Sequence, residues 1–196
     1  MSGNAQVTRT PGTSFMHELP MDFLPSEYRI KWADSPWERQ QALALRRAVF
    51  CTEQSVFETD DVDDIDQHAQ LIVAATCIAG VSDQVVGTVR IHEAESGVWW
   101  GSRLAVAEAF RSHGRLGSTL IRLAVTSAHA RGCRQFFAHV QSQNVPLFRR
   151  LCWRSLRELV LHGRPHHLMS ADLNHYPPCH APYTGFVTPA SIRGVT

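Results

Sequence analysis

The stretch Arg111-Ser-His-Gly114-Arg-Leu-Gly117 constrains the fold of this chain more than any other. It follows an extended apolar segment, Val98 to Val106, and precedes a helical pattern, Ser118 to Ala130. A glycine-containing turn between a strand and a helix start leaves several backbone N–H groups without intrahelical partners and aims them at one point. The helix dipole adds partial positive charge there, so the place suits a phosphate or pyrophosphate. The glycines let a ligand approach the backbone without an intervening Cβ. Arg111 and Arg115 set full charges beside it. Two glycines and an arginine also fit a plain helix-capping turn, so the pattern around them has to decide.

With 196 residues the chain has enough length for one well-buried domain and little beyond it. A net charge of +1, with 19% charged residues, argues against a dedicated nucleic-acid binder, which would carry a basic stripe. No apolar run is long enough to span a bilayer. Residues 1–27 read as a disordered or extended leader, since Met1 to Ser14 is polar and lacks the apolar core of a signal peptide. Five cysteines (Cys51, Cys77, Cys133, Cys152, Cys179) are scattered, and none forms a C-x-x-C pair. That spacing argues against a disulfide framework and for a reducing, cytoplasmic setting.

Tyr28 to Trp32 alternates as a first strand. Asp34 or Ser35 then supplies an N-cap, with Pro36 at the first helical position and Glu38 in the first turn. Ala42, Leu45, Val49 and Phe50 keep close to helical periodicity, and an acidic loop with Asp60, Asp61, Asp63, Asp64 and Asp66 follows. Leu71–Ile78, Val85–His92 and Val98–Val106 are three strands joined by short turns, an antiparallel meander. After the glycine turn, Leu116, Leu120, Leu123, Ala124 and Ala128 mark one face of a helix that Gly132 stops. Arg134–Gln141 reads as a strand and Asn144–Trp153 as a short helix. Leu156–Leu161 and His167–Leu173 are closing strands, the first equally able to extend the helix. From residue 176 on, Pro177, Pro178, Pro182 and Pro189 predict an irregular tail. The order β-α-β-β-β-α-β-α-β-β describes a single mixed α/β (α+β) domain over residues 28–175, its central sheet largely antiparallel and flanked by helices.

That order, with the glycine turn between the fourth strand and the long helix, resembles the GNAT superfamily of acyl-CoA-dependent N-acyltransferases. The family's R/Q-x-x-G-x-G/A turn after L-x-V is similar to Leu104-Ala-Val106 followed by Arg111-Ser-His113-Gly114-Arg115. Here Leu116 stands at the second small position and Gly117 comes one residue late. Val140-Gln-Ser-Gln-Asn144 resembles the family's V-x-x-x-N, where the fifth strand splays from its neighbour and the asparagine contacts the pantetheine arm. Leu147-Phe-Arg-Arg-Leu-Cys-Trp153 resembles L-Y-x-K-x-G-F, with Phe148 in place of tyrosine and Cys152 in place of glycine. Val49-Phe-Cys-Thr-Glu53-Gln54 with Asp63 and Asp66 downstream resembles a branch whose front end is partly shared by autoinducer synthases. Phe137-Ala-His-Val-Gln141 through Met169-Ser-Ala-Asp172 is similar to a bacterial group associated with nitrogen starvation.

The resemblance implies transfer of an acyl group, acetyl from acetyl-CoA first of all, to a small primary amine by direct attack. The fourth-strand backbone near Val106 would polarise the thioester. The cofactor-side residues it implies are Leu104, Val106, Arg111, His113, Gly114, Arg115, Leu116, Gly117, Ser118 and Asn144. On the acceptor side Glu53 is the candidate base, with Gln54, Asp63 and Asp66 drawing in a cationic amine. The rival reading of Glu53 is a surface carboxylate, and of the aspartates a solvated loop. Cys152, His139 or Tyr176 can replace the missing tyrosine as proton donor to the thiolate, and Cys152 is better read as a small buried thiol than as a nucleophile. Trp99 and Trp100 adjoin on a strand and face opposite sides, one to the core and one toward an acceptor pocket. The end rich in His162, His166, His167, His175, Cys179 and His180 matches no compact zinc spacing, and no metal is expected. The expected partner is a small amine, with neither nucleic acid nor membrane, and a homodimer is left open. Two alternatives remain: an autoinducer-synthase-like enzyme with an acyl-carrier-protein donor, and a sensing domain that binds CoA or an amino acid without turnover.

Overall fold

The computed structural model describes residues 25–112 and 115–190. An eight-stranded sheet runs in the order β6-β7-β5-β4-β3-β2-β1-β8. Its strands are β1 (Glu27–Trp32), β2 (Gln70–Ile78), β3 (Val81–Glu95), β4 (Val98–Val106), β5 (Gln135–Gln141), β6 (Trp153–Leu161), β7 (Arg164–Ala171) and β8 (Phe186–Pro189). The helices are α1 (Pro36–Arg47), α2 (Leu116–His129) and α3 (Val145–Arg150). The β2-β3-β4 meander is antiparallel as expected, β6 is a strand paired to β7, and β4 with β5 is a parallel pair.

Strand alternation divides the core between the two faces of the sheet. Tyr28, Ile30, Trp32, Ile72, Val89, Ile91 and Trp99 point to the face covered by α2, where Leu116, Leu120, Leu123, Ala124 and Ala128 meet them. Leu71, Val73 and Val85 point the other way, against Ala33 and Ala42 of the α1 side. The Glu38 carboxylate anchors the start of α1 by accepting from the Asp34 and Ser35 amides and from the buried Lys31 ammonium. The uninterrupted helix expected through Phe50 is corrected: after Arg47 the chain widens into a π turn, Ala48–Glu53, that carries Val49 and Phe50 inward. The Gln54 amide closes it on the Val49 carbonyl at 2.9 Å.

Among the irregularities of the sheet, one lies in its middle, beside the gap. Thr88 pairs with Ala105 but Arg90 pairs with Ser102, so β4 bulges between them. Arg103 takes the left-handed conformation in the bulge, at φ 55°. On the other edge of β4, pairing to β5 ends at Gly101–Ala138. A Cβ on Gly101 would come within 3.0 Å of the Phe136 ring, so a glycine ends the close approach. Past that pair the two strands separate.

The segment read as an irregular tail carries an edge strand. Tyr176 and Cys179 dock on α2 through the His129 ring and the Thr126 carbonyl, and β8 pairs with β1. The prolines do break the path, but Gly185, at φ 62°, turns the chain back beside Ile30. A Cβ there would sit 1.9 Å from the Ile30 carbonyl oxygen. Gly185→Ala is therefore expected to unseat β8 and cost roughly 2 kcal/mol or more, from the clash and the left-handed backbone together. Urea unfolding measures the loss, and faster hydrogen exchange at the β1 amides facing β8 locates it.

Candidate active site

A cavity of about 460 Å³ occupies the gap between β4 and β5. On the α2 face its walls include Ile121, Ala124, Ala138, Val140, Phe148 and Trp153; on the α1 face they include Arg90, His92, Trp100, Arg103, His139 and His166. The cavity thus passes through the sheet, joining two differently lined halves. Trp99 is buried with α2 and Trp100 lines the cavity, as their alternation predicts.

The α2 side has the character of an anion site. Arg115 is the N-cap of α2 in left-handed conformation, and no side chain caps the helix among the described residues. Ser118 and Thr119 turn their hydroxyls back onto the Arg115 carbonyl, at 2.7 and 3.2 Å, and so satisfy that acceptor rather than the first-turn amides. Gly117 lies inside the helix, and a Cβ on it would meet nothing within 4 Å. Packing therefore does not require glycine there, and the space above it is free for a ligand to fill. These residues fit a pyrophosphate. Leu116, at the family's small position, is instead buried in the core. Leu104 and Asn144 line the cavity, and Val106 packs on the core. His113 and Gly114 lie outside the described residues.

The three stand-ins for the missing tyrosine are separated by the structure. Tyr176 is locked: its hydroxyl donates to the Leu151 carbonyl and accepts from Trp153 Nε1, and burial pushes it up to about 12. Cys152 is exposed, against the expectation of a buried thiol, because it sits at φ 61° in the turn after α3, a conformation that favours the glycine of the resembling motif. His139 lines the cavity. All five cysteines are free thiols. Phe148 packs edge-on against Trp153, with ring centroids 5.0 Å apart.

The acceptor side differs most from expectation. Glu53 is not among the residues lining the cavity; its carboxylate is paired on the surface with Arg111, which also donates to the Val106 carbonyl at 3.0 Å. The candidate base and the candidate pyrophosphate arginine meet each other. Gln54 does line the cavity, gripped across the gap by Gln141 at 3.0 Å and by Arg164 on its carbonyl.

Asp63 and Asp66 are not an open field for a cation. Together with Asp61 they clamp three arginines of α1, β3 and β4. Arg46, fully buried, reaches Asp61 at 2.8 Å and Asp66 at 2.6 Å. Arg90 reaches Asp66 at 2.7 Å and holds Asp63 and the Ser102 hydroxyl. Arg103 reaches Asp61 at 2.9 Å and Asp63 at 3.1 Å while stacking on Phe57. These arginines and His92 were not singled out from the sequence. An arginine in the buried Val85–Ile91 run, with five aspartates nearby in the chain, was the available signal.

Burial would raise the Asp66 carboxyl, but hydrogen bonds from Arg46 and the Asp63 amide, with the charges of Arg46 and Arg90, hold it at about 2. Its folded value lies below its unfolded one, so the stability it contributes is complete above about pH 4 and disappears as pH falls toward 2. Asp66→Asn should cost about 3 kcal/mol at neutral pH, because two buried guanidinium groups lose a partner, and should flatten stability between pH 4 and 2. Urea unfolding at neutral, mildly acidic and strongly acidic pH checks both.

The family model described as "Acetyltransferase (GNAT) family" matches residues 17–152. The chain is 27% identical over 153 residues to the uncharacterized protein YyaT of Bacillus subtilis (strain 168), covering 74% of this chain and 96% of that one. A solved structure from Lactobacillus plantarum, provisionally named an N-acetyltransferase, is 24% identical with a TM-score of 0.65, covering 74% of this chain and 97% of that one. BjaI, a CoA-dependent acyl-homoserine lactone synthase solved with SAM and isopentyl-CoA, is 16% identical with a TM-score of 0.61 over 74% of this chain and 83% of that one. At these identities the two structures establish likeness of fold.

Proposed function

The chain belongs to the acetyltransferase (GNAT) family, and from that premise we propose that it moves an acetyl group from acetyl-CoA to a small primary amine. The observation that carries this reading is the separation of β4 from β5 beyond Gly101–Ala138, which opens a passage between the two faces of the sheet. The donor's pyrophosphate lies on the first-turn amides of α2 at Leu116–Ser118, where partial positive charge and open space coincide. Its pantetheine arm runs past Leu104 and Asn144. The β4 amides that face the departed β5 neighbour are donors for the thioester carbonyl, strengthening as negative charge grows on its oxygen. The amine enters from the α1 face, between Trp100 and the π turn. Direct attack needs no covalent enzyme intermediate, and the exposed Cys152 stays outside the cavity.

A second reading has one observation in its favour, the fold shared with BjaI: the same passage would then serve a longer acyl chain and form a homoserine lactone. Incubation with acetyl-CoA or with longer acyl-CoAs, and a panel of arylalkylamines, amino acids, amino sugars and SAM, read by thiol release and by mass, is expected to yield an acetylated amine with acetyl-CoA. Lactone formed only with longer acyl donors would favour the second reading, and no thiol release from any donor would overturn both. Gly117→Val is expected to fold normally, since the site has room, yet to weaken acetyl-CoA binding at least tenfold by filling the donor's space. Asn144→Ala should raise the donor's KM roughly fivefold, about the worth of one hydrogen bond, with the acceptor's unchanged. Calorimetry and two-substrate kinetics measure these effects.

A further inference from the structure

Given acyl transfer to an amine, on which this inference rests, we propose that His166 is the general base that takes the amine's proton. The imidazole is buried at the α1-face wall of the cavity, on β7. Its Nδ1 lies 2.9 Å from the Arg164 carbonyl oxygen. A carbonyl only accepts, so Nδ1 carries the hydrogen, and in the neutral ring Nε2 holds the lone pair. Arg164 itself is fixed by its guanidinium on the Gln54 carbonyl, so the backbone that orients His166 is tied to the π turn roofing the site. Orientation by a backbone carbonyl, burial and access to the cavity are what a proton acceptor of set direction needs.

Register separates His166 from His92. His92 stands opposite Trp100, where β4 is still paired to β5 through Trp100 and Phe137. His166 stands opposite Gln141, beyond the last β4–β5 pair and level with the open gap. His139 lies on the same face and also just past the last β4–β5 pair, but its ring packs beside Trp100, with centroids 5.1 Å apart. Groups facing the same space are His139 of β5, Arg90 and His92 of β3, Arg103 of β4, His162 of the β6–β7 turn and Asp63 of the acidic loop, with Arg164 tied across the roof. Burial, His166 and Arg157 hold His139 below the ordinary histidine value. Burial, Arg90 and His68 do the same to His92. Asp63 is the single carboxylate among the described residues lining the cavity, and Arg90 and Arg103 already hold it.

His166 Nε2 takes one proton from the ammonium, leaving a neutral amine. The amine lone pair forms the C–N bond to the thioester carbonyl carbon, and the C–S bond breaks with its electron pair going to sulfur. The nitrogen's surplus proton passes to the thiolate, and His166 returns its own to water.

His166→Asn keeps an N–H for the Arg164 carbonyl but removes the basic nitrogen. With acetyl-CoA and the most active amine of the panel, it should lower kcat about 10²-fold with acetyl-CoA affinity unchanged. The wild-type rate should fall with decreasing pH as one group protonates, and that limb should vanish in the variant. With a weakly basic alkoxyamine, already neutral at assay pH, the deficit should shrink. Wild-type turnover in a folded H166N enzyme, or loss of the limb in His139→Asn instead, overturns the assignment while leaving acyl transfer intact. A wild-type enzyme that releases thiol from no acyl donor with any amine overturns acyl transfer and the base together.

Discussion

The α1 face of the cavity is organised by six charges gathered in one buried to half-buried network. Arg46, Arg90 and Arg103 come from α1, β3 and the β4 bulge; Asp61, Asp63 and Asp66 come from one short loop. Three positive and three negative charges cancel, which is how guanidinium groups can sit at 0% and 1% exposure inside a small domain. Each guanidinium has a second task. Arg46 fixes the helix that leads into the π turn, Arg90 holds Ser102 at the bulge, and Arg103 stacks on Phe57 beneath the roof. The network gains less as net stability than as geometry, because desolvation consumes much of its Coulomb energy. What it specifies is where the loop, the turn and the bulge lie relative to each other.

The bulge carries that specification into the gap. β4 is straight and paired on both sides up to Gly101; two residues later Arg103 adopts a left-handed backbone that most residues avoid. The Asp61 and Asp63 carboxylates hold the side chain of that residue. The same aspartates thus help keep β4 turned at the point where it leaves β5. The two halves of the cavity are accordingly one mechanical unit, although the residues that line them lie on opposite faces of the sheet.

How much of this could be read from the chain follows from the range of each interaction. The meander, both tryptophan orientations and the helix start at the glycine turn rest on local periodicity and capping, and they are visible in sequence. The π turn is not, since Ala42, Leu45 and Val49 keep a helical spacing right up to the residues that widen it. β8 was hidden because its pairing with β1 spans most of the chain, and proline-rich composition speaks only of the local path. The acidic loop looked like an open field since its aspartates are adjacent in sequence, whereas their partners lie 15 to 42 residues away. The pairing of Glu53 is invisible in sequence for the same reason: its partner Arg111 is 58 residues distant.

The matched charges also bear on which chemistry suits the acceptor half. A carboxylate placed among Arg90, Arg103 and Arg164 would be captured by them, and a captured carboxylate is a poor base; Asp66, held at about 2, is the example at hand. An imidazole behaves in the opposite way. Its charged form is repelled by guanidinium groups and penalised by burial, so both effects keep the ring neutral, and neutral is the form that accepts a proton. His92 and His139 are held down by such surroundings, each with an arginine among the causes. A cavity whose rigidity comes from buried arginines therefore favours histidine over glutamate for proton removal.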